Sequence, residues 1–213
     1  MAHEYLFGSY LLITLLRLLL SPTRPTADCW AFAALICAIA AAIAWHARGP
    51  DSLLRLRIRL LAFFAAMNIA FMQMQTAVPA ISPHKVDALL RHIDIALIGE
   101  TPAILMQAWV SPWLTELMSA CYQLFFPYLT LAVLAYSVRE ASVARSAFVG
   151  LFSLYAVGFL GYTVMPALGP HLALADEFHA ALSGGPVTAY NAHLVKQFST
   201  GVDVFPSLHV AVS

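Results

Sequence analysis

Residues 146–165 read SAFVGLFSLYAVGFLGYTVM, a stretch without one Asp, Glu, Lys or Arg. A helix that crosses a membrane needs about 20 mostly apolar residues, and this run supplies them. Working outward, comparable runs cover Trp113–Val138, Ile58–Val78, Cys29–Trp45 and the shorter Tyr5–Leu20, where Arg17 near the end can snorkel. A signal peptide is the rival reading of the first run. It lacks a basic n-region and an A-x-A cleavage site. A sixth apolar run begins near Phe205 and reaches Ser213.

Composition agrees. The 213 residues are 61% hydrophobic and 10% charged, with a mean hydropathy of +0.79. Soluble domains average about 45–50% apolar and about 25% charged. So few charges cannot cover a water-facing surface, which excludes a soluble enzyme, a disordered chain and a secreted disulfide scaffold. Eleven basic residues balance eleven acidic ones, so no basic excess exists to hold nucleic acid. Cys29, Cys37 and Cys121 sit in or beside apolar runs as small hydrophobes, and no zinc spacing appears. No cofactor and no metal are implied.

The segment between Pro79 and Pro112 is mixed. Leu89, Leu90, Ile93, Leu97 and Ile98 follow helical spacing with Arg91, His92 and Asp94 between them. This predicts an amphipathic helix lying on the membrane surface, in which Asp94 can pair with Arg91. A second short one is expected over Pro102–Val110, with Trp109 and Trp113 in the interfacial belt. The expected fold is therefore all-α: a polytopic transmembrane bundle of five complete spans and the start of a sixth, with one or two interfacial helices, in a single domain covering 1–213.

Arg48, Arg55, Arg57 and Arg59 crowd the second connection, and Arg139 and Arg145 flank the fourth. The excess of positive charge in these short loops places them, and the amino terminus, in the cytoplasm. The longer segments 79–112 and 166–205 then face outward.

Two outward motifs carry chemistry. Gly161-Tyr162-Thr163-Val164-Met165-Pro166-Ala167-Leu168-Gly169-Pro170-His171 ends the fifth span in a proline turn. Phe205-Pro206-Ser207-Leu208-His209-Val210-Ala211 opens the sixth, with proline suited to a first helical turn. Ser207 and His209 would sit beside free backbone N–H groups, an anion-binding arrangement. An imidazole there titrates near neutral pH and can protonate a leaving oxygen. A Ser-x-His run alone reads first as an interfacial histidine beside a capping serine. A 33-residue loop, Leu172 to Val204, joins the two motifs, and a bundle can close them into one pocket.

The Phe-Pro-Ser-Leu-His-Val-Ala run resembles the second signature of the type 2 phosphatidic acid phosphatase superfamily, in the branch that contains inositol phosphorylceramide synthases and related inositolphosphotransferases of sphingolipid metabolism. The proline turn resembles that branch's first signature. Asp94…Leu97-Ile98-Gly99…Pro102, Trp113-Leu114-Thr115-Glu116-Leu117 and Tyr122 resemble its pre-core region. The resemblance covers 85–213 and leaves the first 84 residues outside. It implies metal-independent phosphatase or phosphotransferase chemistry on a membrane lipid phosphate ester, through a phosphohistidine. It makes His209 the general acid and Ser207 a phosphate ligand, with Tyr162 in the same motif set.

The family's first signature carries basic residues where this chain has Met165 and Gly169, so His171 and Lys196 are the candidates to hold phosphate instead. The family's nucleophilic histidine and its aspartate lie downstream of the Pro-Ser-x-His helix. The 213-residue polypeptide is therefore expected to be a piece of a longer protein and inactive alone. The rival class is a non-enzymatic membrane protein, a small transporter or structural subunit. A transporter is expected to show inverted repeats, and none is visible.

Overall fold

In the computed structural model, which describes residues 1–50 and 52–212, helices are the regular elements. They are α1 (Ala2–Leu20), α2 (Thr26–Ala47), α3 (Leu53–Ile81), α4 (Asp87–Ile98), α5 (Pro102–Leu105), α6 (Pro112–Ser137), α7 (Ala141–Val164), α8 (Pro170–Ala173), α9 (Pro186–Phe198) and α10 (Leu208–Val212). Short 3-10 turns follow α5 and α8. The α1, α2, α6 and α7 helices are long and apolar enough to cross a membrane. The α3 helix is longer still, at 29 residues. It carries Arg55, Arg57, Arg59, Asn68, Gln73 and Gln75 and falls outside that set. Of the sixth run, residues 205–212 are described, with α10 as the helical part, and Ser213 lies outside the described residues.

The α1 helix packs on α2 and α7, and α3 packs on α2 and α7. The core between them is aromatic. The Tyr10 ring lies 5.6 Å from Phe159 and 6.2 Å from Phe32, and Phe63 stacks on Phe152 at 6.3 Å. Much of the remaining apolar surface, including Leu16, Leu61, Leu131 and Val157, is exposed, as lipid-facing helices require.

The two ends of the bundle are tied differently. At one end Arg59 pairs with Glu4 and Arg57 donates to the Val138 carbonyl at 3.1 Å. The arginine-rich connections thus share one end with the amino terminus. At the other end Arg17 does not run along the surface as its position predicts. Its guanidinium donates to the carbonyls of Thr163 (2.9 Å) and Ile81 (3.2 Å) and to Ser82 Oγ (2.7 Å). These carbonyls close α7 and α3, where a helix carries its negative end and unpaired acceptors. Arg17→Met is expected to lower the thermal midpoint in detergent, for a loss of about 1.5–3 kcal/mol. An unchanged midpoint would mean water serves these carbonyls equally well.

A helix over 89–98 is present as α4. The expected helix over 102–110 is split, with α5 passing into a 3-10 turn at Met106–Trp109. The 172–204 segment, read as loop, contains α9. Pro186 opens it, and Val187, Tyr190, Leu194 and Phe198 recur at helical spacing. Asn68 donates to the Phe64 carbonyl of its own turn at 2.8 Å and so makes no link to another helix through that bond. Thr76 makes the interhelical link, donating to Asp28 at 2.8 Å.

Candidate functional site

Pro166 stops α7, and the chain turns through Gly169 at φ +84°, a left-handed conformation that favours glycine. Asp87 pins this turn. Its carboxylate accepts the N–H groups of Leu168 (3.0 Å) and Gly169 (2.9 Å). Asp203 then returns beside Ala167 in an isolated parallel bridge. From there the chain descends along α7. A Cβ on Gly161 would lie 2.6 Å from Pro206 Cδ, and one on Gly158 would lie 2.5 Å from Leu208 Cδ2. Two glycines one turn apart therefore form the trough that receives the Pro-Ser-Leu-His run.

Seated there, His209 faces α6. Its ring stacks on Tyr122 with centroids 4.9 Å apart and lies 4.5 Å from Phe125 and 6.0 Å from Phe126. Ser207 Oγ accepts the Val210 N–H at 3.4 Å. A cavity of about 730 Å³ opens at this point. Its lining includes Ser207, His209, His171, Asp203, Tyr122 and Gln123. Among the described residues, no Arg or Lys is in that lining. A neighbouring cavity of about 260 Å³ holds Tyr162 and shares Asp203 and His209 with the first.

Of the residues read from sequence, His209, Ser207 and His171 thus meet around one space. Tyr162 is buried and faces the adjacent one. Lys196 is exposed on α9 and lines neither. The reason is helical phase: Tyr190, Leu194, Val195 and Phe198 turn toward the cavity and leave Lys196 on another face. Sequence reading missed Asp203. An acid four residues before Ser207, in a presumed loop, gives no signal without the bridge that folds it inward.

The wall opposite α7 is held by Glu116. Its carboxylate accepts N–H groups from Gly185 (2.7 Å), Val187 (2.8 Å) and Thr188 (3.0 Å), and the Thr188 hydroxyl at 2.6 Å. It caps α9 from another helix, where negative charge suits the helix dipole. A Cβ on Gly185 would lie 2.9 Å from Glu116 Oε1, so glycine permits the approach. Gln123 donates to Asn191 Oδ1 at 2.5 Å, a second tie between α6 and α9. Arg91 grips Glu177 through two bonds of 2.5 and 2.7 Å rather than pairing with Asp94. Glu116→Ala is expected to raise amide exchange across 185–198 by roughly tenfold, with α1–α3 unaffected. Uniform exchange in both proteins would assign the capping elsewhere.

The fold and the cavity define a class: a polytopic, all-helical protein with lipid-facing helices and a mostly apolar recess that carries a few polar side chains, His209, Ser207, His171 and Asp203 among them. The family model described as the PAP2 superfamily matches residues 88–213, more than half of the chain. The chain belongs to that superfamily, which points to phosphatase-type chemistry on lipids. No curated protein and no solved structure matches it.

Proposed function

We propose that this protein is an integral-membrane lipid phosphatase or phosphotransferase, of the inositolphosphotransferase branch, acting on a lipid phosphate ester through a phosphohistidine. It would be one membrane domain with five complete spans, α3 among them, and the start of a sixth. The arginine-rich end faces the cytoplasm and the 730 Å³ cavity opens on the outer, periplasmic or lumenal, face. The observation that carries this reading is the meeting of His209 and Ser207 with His171 around one cavity, in a chain that belongs to the PAP2 superfamily.

In the proposed reaction a histidine nitrogen attacks phosphorus while the bond to the lipid oxygen breaks. His209 gives its proton to that oxygen, so the alcohol leaves neutral. Water or an acceptor hydroxyl then takes the phosphoryl group from the imidazole, which splits one high barrier into two. Ser207 and His171 hold the equatorial oxygens as charge develops. With no Arg or Lys among the described residues of the cavity lining, the imidazoles are the basic side chains there, and Asp203 is positioned to accept a hydroxyl from a head group or acceptor.

The test is phosphate release or transfer from phosphatidate vesicles by the protein expressed from its native reading frame, with and without a chelator. Turnover unaffected by the chelator is expected. No turnover with any lipid phosphate, or turnover that the chelator removes, would overturn the reading.

A further inference from the structure

We infer that a second cavity, of about 930 Å³ between α5, α6 and the 170–182 segment, seats an acyl chain of the lipid substrate. This rests on the lipid phosphate reading above and assigns the place of the tail.

The walls are apolar: Met106, Val110, Leu114, Met118, Phe178 and Leu182 all line the space. Three of the polar neighbours, Gln107, Asn191 and Ser119, are already engaged. Gln107 donates to the Glu177 carbonyl (3.1 Å) and accepts the His179 N–H (2.8 Å). Asn191 accepts from Gln123, and Ser119 donates to Thr188 at 3.4 Å. Water would find few partners here. The size falls within the roughly 300–1,000 Å³ of small-molecule sites.

Position selects the occupant. Tyr122 and His171 line both this cavity and the one holding His209 and Ser207. A ligand filling both has a phosphate at one end and a hydrocarbon chain leading away from it. Trp109 and Trp113 are 70% and 73% exposed beside the cavity, as belongs to the interfacial belt. The tail would therefore leave the head at head-group depth, under α5. A chain gains no hydrophobic transfer energy by leaving the bilayer. Contact with fixed walls must supply the preference. The bonds of Gln107, Arg91 and Glu116 to the 177–188 segment fix those walls.

Cys121 also lines the space and serves as a reporter. In phosphatidylcholine nanodiscs, with Cys29 and Cys37 replaced by alanine, hexadecylphosphonate is expected to slow maleimide labelling of Cys121. Butylphosphonate, which has the head without the tail, is expected to leave it unchanged. Met118→Trp, at an exposed position that can be changed without unfolding the core, should weaken hexadecylphosphonate at least about tenfold by overfilling the cavity. Butylphosphonate affinity should stay within about twofold. If hexadecylphosphonate binds and His209→Ala weakens it, yet Cys121 and Met118→Trp report nothing, the tail lies elsewhere and the lipid phosphate reading stands. If neither phosphonate binds, that reading falls and takes this inference with it.

Discussion

His209→Ala is expected to reduce kcat/KM on a lipid phosphate ester by about 10²–10⁴-fold, the range supplied by a positioned general acid. The protein to assay is the one expressed from its native reading frame. A general acid works only while protonated, so activity that depends on it falls as pH rises through its pKa. That alkaline limb should vanish in the variant. The identity of the departing alcohol gives a sharper check. An alkoxide is a poor leaving group and needs the proton, whereas a nitrophenolate departs without it. The deficit should shrink sharply on an aryl phosphate. A merely structural role for the ring stacked on Tyr122 predicts equal losses on both substrates, and equal losses would remove His209 from the chemistry.

The membrane helices were legible because their signal is local. A continuous apolar run such as 146–165 has few other uses, and prolines at 112, 166 and 206 mark where runs begin or stop. The candidate site is legible in part. Ser207, His209 and His171 sit in short motifs, and successive helix ends of a bundle bring such motifs together. What was hidden depends on pairings far apart in the chain. Glu116 reaches Gly185 across 69 positions, and Asp87 reaches Gly169 across 82. Neither carboxylate betrays its partner, because a lone acid near a helix start reads as solvated. Lys196 shows the converse: the face it takes depends on the phase of α9, 13 residues long, which its own short motif does not encode. Arg17 sits near the end of the first apolar run, but its partners on α3 and α7 follow only from how the helices assemble.

Gly161→Ala is expected to cost about 10²-fold in turnover, what a displacement near 1 Å of a catalytic group can cost, while thermal stability stays level or rises. The two effects have opposite signs for separable reasons. Alanine is favoured over glycine inside a helix by about 1 kcal/mol, so α7 itself gains. The new methyl, however, would stand 2.6 Å from Cδ and 3.0 Å from Cγ of Pro206. A pyrrolidine ring cannot rotate away as a leucine side chain can. The α7 backbone is held by α1 and α3, so the segment carrying Ser207 and His209 must lift. Gly158→Ala meets the flexible end of Leu208 and should be milder. Gly150→Ala, with nothing within 4 Å of the added carbon, should leave activity unchanged and controls for helix propensity. The order expected is therefore Gly150→Ala, then Gly158→Ala, then Gly161→Ala, in rising loss of turnover at undiminished melting temperature. Losses that instead track stability, or full activity in Gly161→Ala, would show that the trough on α7 does not set the position of His209.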